Sequence, residues 1–168
     1  MELSIRKFSI KRFVENIRVK PLAIALAVPL GVQLASYLAT RGSMDIYDRI
    51  KSPPLSPPGW LFPVVWTILF TLMGVSSYLV YREKSPYTKE ALTIYGMQLG
   101  FNFLWSILFF VAEAFLVSFV WLCGLFILIL LMILAFRRIK PLAAYLQIPY
   151  ALWVLFALYL NAGIYLLN

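Results

Sequence analysis

The stretch ALTIYGMQLGFNFLWSILFFV, residues 91–111, decides how the chain is read. It is 21 residues without a charge, close to the ~20 that an α-helix needs to cross the hydrocarbon of a bilayer. At about 100° per residue, Gln98, Asn102, Trp105 and Phe109 share one side of that helix. Gly96 and Gly100, spaced as Gly-x-x-x-Gly, lie nearly opposite, where missing side chains let a second helix approach. A membrane helix with amides and rings on one side and glycines on the other belongs inside a bundle of several spans.

The rest of the chain supplies them. Of its 168 residues, 62% are apolar and 13% charged, a composition suited to lipid rather than water. Uncharged runs of spanning length occur at 21–40, 61–81, 91–111, 114–136 and 142–167. The expected fold class is an all-α integral membrane protein, a five-helix bundle forming a single domain over 21–168. Residues 1–20 would form a basic amphipathic extension lying on anionic headgroups, with a cleaved signal peptide as the alternative. The sequence does not say whether that extension is retained. His is absent and Cys123 stands alone, which leaves no disulfide framework, zinc site or histidine-ligated haem. The expected metal and cofactor requirement is none.

The net charge of +8 has a layout that explains it. Twelve Lys and Arg flank the starts and ends of the spans on one side, against Arg41, Arg49 and Lys51 on the other. By the positive-inside rule the N-terminus is cytoplasmic and the C-terminus outside, a pattern that fits a bacterial cell membrane. Nucleic acid is therefore not an expected partner, whereas membrane lipids are. No Asp, Glu, Lys or Arg falls within a span, which weighs against ion-coupled transport.

Spans two and five repeat the two-sided pattern. Phe62, Trp66, Phe70, Met73 and Ser77 share a face on span two, and Tyr150, Trp153, Ala157 and Asn161 share one on span five. Trp60 and Trp121 fit an interfacial aromatic belt, while Trp66 and Trp153 sit several residues inside their spans. Three such helices suggest one hollow with apolar walls and few polar fixings, suited to a broad flat ligand. The amides read equally well as hydrogen-bonding glue between helices.

Three stretches carry a resemblance: SPPGWLFPVVWTILFTLMGVSSYLVY (56–81), IYGMQLGFNFLWSILFF (94–110) and PLAAYLQIPYALWVLFALYLN (141–161). With Tyr47 and Asp48 ahead of them, the chain from about residue 24 to 168 resembles the translocator protein/tryptophan-rich sensory protein family (TspO/MBR, which includes the peripheral benzodiazepine receptor). The resemblance implies a five-helix bundle, commonly a homodimer, with a pocket under its first loop. It implies binding of porphyrins such as protoporphyrin IX and of isoquinoline carboxamide and benzodiazepine drugs. Carried onto this chain, the ligand-binding positions are Tyr47, Trp66, Phe70, Gln98, Asn102, Trp105, Ser106, Phe109, Trp153, Ala157 and Asn161. Gly96 and Gly100 become the dimer-interface expectation.

Departures matter. Leu55 and Ile46 stand where the family usually has Trp. Ala162 and Leu166 replace the Tyr and the basic residue of the cholesterol motif, so cholesterol is not an expected partner. Function is expected to be that of a receptor or sensor in stress or tetrapyrrole regulation. Passive or partner-driven transport is one alternative. Light- and oxygen-dependent porphyrin breakdown through Trp66 and Trp153 is another, and would make the protein an enzyme. The prolines of KSPPLSPPGWLFP (51–63) hold loop 41–60 extended, as a lid that places Tyr47 over the pocket or as a plain rigid linker.

Overall fold

The computed structural model describes residues 18–168, except for the side chain of Tyr47. The first 17 residues of the expected amphipathic extension lie outside the described residues, as does the aim of the Tyr47 ring. Among the described residues are five helices long and apolar enough to cross a membrane, and no strand. They run α1 (Val19–Thr40), α3 (Leu61–Arg82), α4 (Thr88–Ser106), α5 (Phe115–Ile139) and α7 (Ile148–Leu167). Two short helices join them, α2 (Ile46–Arg49) and α6 (Pro141–Tyr145).

Several boundaries differ from the sequence reading, each for a local reason. Loop 41–60 is not extended throughout; a 3₁₀ turn (Arg41–Ser43) and α2 precede the prolines. Span three ends in a π turn, Ile107–Val111, closed by Ala112 N–H donating to the Ile107 carbonyl at 3.0 Å. Glu113 at φ 50° then reverses the chain. Span five is broken at Leu146–Gln147, between α6 and α7. Pro149 has no N–H to give, and its ring would collide with the Tyr145 carbonyl in a continuous helix. The break between α5 and α6 has the same cause, since Pro141 holds Lys140 extended (ψ 102°).

Packing follows the spacing of the buried side chains. On α5 these are Ser118, Leu122, Leu125, Ile129, Met132 and Phe136, alternately four and three residues apart. That seam faces α4 on one side and α6 and α7 on the other, leaving the rest of α5 to lipid. Trp121, expected in the interfacial belt, stacks on Phe101 of α4 with centroids 4.3 Å apart. Its indole also donates to the Phe101 carbonyl at 2.9 Å.

Helix α1 is peripheral. It buries only Pro29 and Thr40 and packs mainly along α3. Gly74 makes that approach possible, because a Cβ there would lie 2.9 Å from the Ala25 carbonyl oxygen. Gln33 adds a side-chain bond across the seam to Thr67, at 2.8 Å. By contrast, the α7 backbone makes few close approaches to α3 and α4. Large side chains occupy the space between these three helices.

The charged ends separate cleanly. Lys140 pairs with Glu83 at 2.7 Å, and the Arg18 amide donates to the Tyr78 hydroxyl at 2.9 Å, gathering the basic loops at one end. Arg49 pairs with Glu113 at 2.7 Å at the other.

Candidate functional site

The site lies between α3, α4 and α7, beneath the proline loop. Four contacts hold the loop down. Pro53 is buried against Gly163, where a Cβ would come within 2.6 Å of its ring. Tyr159 donates its hydroxyl to the Pro54 carbonyl at 2.7 Å. Asn168 takes the Lys51 N–H at 2.9 Å and returns its own amide N–H to the Lys51 carbonyl at 3.0 Å. Arg49 reaches Glu113, which together with Asp45 raises its pKa beyond the usual guanidinium value.

Within the loop, Pro53–Ser56 forms a turn in which Ser56 bonds the Pro53 carbonyl through both its amide and its hydroxyl. Leu55 takes φ 67° there, a value that a type II turn normally gives to glycine.

Under the loop is a cavity of about 50 Å³. Ser52, Ser56 and Pro57 roof it, Phe62 closes one side, and Trp105, Phe109, Ala157, Leu160, Asn161 and Ile164 line the rest. Pockets for drug-sized ligands run from ~300 to 1,000 Å³, so a large ring enters only if these side chains move.

Below the cavity is a layer of rings. Trp66 sits 6.5 Å from Trp105, 5.6 Å from Phe70 and 6.2 Å, nearly edge-on, from Tyr150. Phe109 continues the layer 5.5 Å beyond Trp105. Trp153 lies at the rim, half-buried, 5.9 Å from Phe62.

Deeper still are the amides. Tyr150 donates its hydroxyl to Gln98 Oε1 at 2.9 Å and accepts from Asn102 Nδ2 at 3.2 Å. Among the described residues, Gln98 Nε2 reaches the Met73 sulfur, at 3.9 Å. Ser106 returns its hydroxyl to the Asn102 carbonyl on its own helix.

Asn161 is heavily engaged. Its Oδ1 accepts from the Trp105 indole at 3.3 Å and from Ser118 Oγ at 3.0 Å, and its Nδ2 donates to the Phe115 carbonyl at 3.0 Å.

The eleven expected ligand positions thus fall into tiers. Trp105, Phe109, Ala157 and Asn161 line the hollow. Trp66 and Phe70 form the ring layer with them, and Trp153 stands at the rim. Gln98 and Asn102 are sealed below, while Ser106, next to Trp105 on α4, is buried at the level of the ring layer. Tyr47 shares α2 with Arg49. Gly96 and Gly100 are exposed, and a Cβ on either would meet nothing within 4 Å.

Tyr150, Ser118 and the receiving positions Tyr159, Gly163 and Asn168 were absent from the expected set. Only Tyr150 had a sequence signal, since it shares its helix face with Trp153 and Asn161.

Comparison with known proteins bears on this arrangement. Residues 23–167 match the model of the TspO/MBR family. The tryptophan-rich protein TspO of Chlorobaculum tepidum is 36% identical over 156 residues, covering 91% of this chain and 99% of that protein. The human translocator protein is 32% identical over 154 residues, 85% of this chain and 86% of its own. The tryptophan-rich sensory protein of Cereibacter sphaeroides is 30% identical over 127 residues, 73% of this chain and 78% of its own. A family match spanning all five transmembrane helices, with relatives aligned over most of their length, makes this multi-pass membrane protein a member of the TspO/MBR family.

Proposed function

We propose that the protein is a membrane receptor for flat, largely apolar rings, with tetrapyrroles such as protoporphyrin IX as the leading class. The observation that carries this reading is the layer of Trp66, Phe70, Trp105 and Tyr150 directly beneath a loop clasped at both ends. Indole faces supply stacking area, and the hydrogen-bonded loop keeps water from the bound ring. The names of the relatives, sensory protein and translocator protein, agree with a ligand-holding role. The protein would act as a homodimer through the exposed Gly96–Gly100 face, in a bacterial cell membrane, with its basic end cytoplasmic.

Titration of the purified protein with protoporphyrin IX, followed by tryptophan fluorescence, tests the reading. Saturable quenching is expected. The Trp66→Phe, Trp105→Phe double variant should bind about tenfold more weakly, because each lost indole contact is worth ~0.5–1.5 kcal/mol and 1.4 kcal/mol is tenfold. Trp121→Phe, on the far side of α4, should bind as the parent does. Absence of saturable quenching in the parent protein rules the receptor reading out.

A further inference from the structure

We infer that Tyr150 determines ligand specificity by standing in for a ligand oxygen, so that the site selects rings whose leading edge carries a carbonyl or carboxylate. The inference rests on the receptor reading and deepens it.

The amides below the ring layer are poorly matched as they stand. Gln98 and Asn102 are both buried, at 0% and 3% exposure. Each carboxamide brings two N–H donors. The side-chain acceptors they reach are the Tyr150 hydroxyl, at a long 3.2 Å, and the Met73 thioether, at 3.9 Å. Sulfur is a weak acceptor, and in hydrocarbon surroundings a poorly partnered polar group costs more than it would beside bulk water. A carbonyl oxygen would serve both amides better, and an anionic carboxylate better again, since charge-assisted bonds are roughly twice as strong as neutral ones.

Position supports the same conclusion. Asn102 lies one turn below Trp105, and Tyr150 two turns below Ala157, both of which line the hollow. The Tyr150 ring touches Trp66 edge-on, and its hydroxyl already bridges the two amides. A ring moving down past Trp66 and Trp105 therefore meets Tyr150 first. Either edge, on displacing the hydroxyl, leaves Gln98 Oε1 without its donor, and an alkyl edge also leaves the Asn102 N–H without an acceptor. An oxygen-bearing edge gives the N–H groups an acceptor in place of the hydroxyl and sulfur.

Tyr150→Phe keeps the ring against Trp66 and removes the competing oxygen. The probes are protoporphyrin IX dimethyl ester, which has two ester carbonyls, and etioporphyrin, which has an alkyl periphery. The variant should bind the ester about tenfold more tightly than the parent does, with etioporphyrin changed less than twofold. An unchanged ester-to-alkyl ratio overturns the inference, as does an equal shift for both probes.

A second measurement needs no variant at position 150. In parent protein carrying ¹⁵N-glutamine, the Gln98 side-chain amide signal, assigned with Gln98→Leu, should move on adding the ester and stay in place with etioporphyrin. The chain has three glutamines, at 33, 98 and 147, so the spectrum is simple. Equal movement with both rings, or none with either, counts against the inference. If neither ring binds the parent protein, the receptor reading falls and takes this inference with it. If both bind with the ratio unaltered by Tyr150→Phe, only the inference falls.

Discussion

Asn161 holds three helices together with one side chain. It joins Trp105 of α4, Ser118 and Phe115 at the start of α5, and its own α7. From the sequence this amide could be read as inward-facing, but not whether its bonds went to protein or to ligand. That choice depends on which partners lie within 3 Å or so, and periodicity says nothing about partners on other helices. Trp121 makes the same point, since only the position of Phe101 reveals that its indole ties α5 to α4. Asn161→Leu should destabilise the protein by about 1–2 kcal/mol. The range reflects a buried indole N–H, a hydroxyl and a carbonyl losing their partner, moderated by the modest worth of hydrogen bonds inside membranes. Denaturant unfolding in detergent, with Asn161→Leu against the parent, checks it; an unchanged midpoint would show the bonds to be idle.

At the scale of elements, the proline loop was legible as a stiff segment and its receiving surface was not. Prolines announce their own backbone, whereas the notch at Gly163 exists only because α7 brings that glycine under Pro53. The π turn was invisible for a related reason. A uniform 100° per residue carries Trp105 to Phe109 on one face, and a single longer ring at Ile107–Ala112 leaves that pattern nearly intact. The break in span five had a readable cause in Pro149, which a purely hydrophobic count ran straight through. Gly163→Val should unseat Pro53, since the added carbon meets a ring fixed in the backbone rather than a yielding side-chain tip. Stopped-flow release of bound protoporphyrin IX should then quicken severalfold. Gly42→Ala, with nothing within 4 Å of its new carbon, should leave the rate alone.

For the whole molecule, apolar length and the sidedness of Lys and Arg were enough to read five spans and their alternation. These are properties of the chain summed over many residues, so single misjudged boundaries hardly affect them. The structure gathers the basic loops at one end through Lys140–Glu83 and Arg18–Tyr78. A cysteine placed at Ser85, in a Cys123→Ser background, should react with an impermeant maleimide only from the cytoplasmic side. One placed at Ser56 should react only from outside. The reverse result would invert the orientation drawn from the charges.

The hollow under the loop holds about 50 Å³, roofed by the loop and walled by transmembrane helices. On the receptor reading, a guest several times larger would need those side chains to move, the loop to lift, or the helices to spread against the surrounding acyl chains. To the extent that the helices spread, occupancy and the lateral pressure of the bilayer would be linked, each altering the other by the same free energy. A crowded, stiff membrane would then oppose loading and a stretched one favour it, coupling occupancy to the lipid composition of the host membrane.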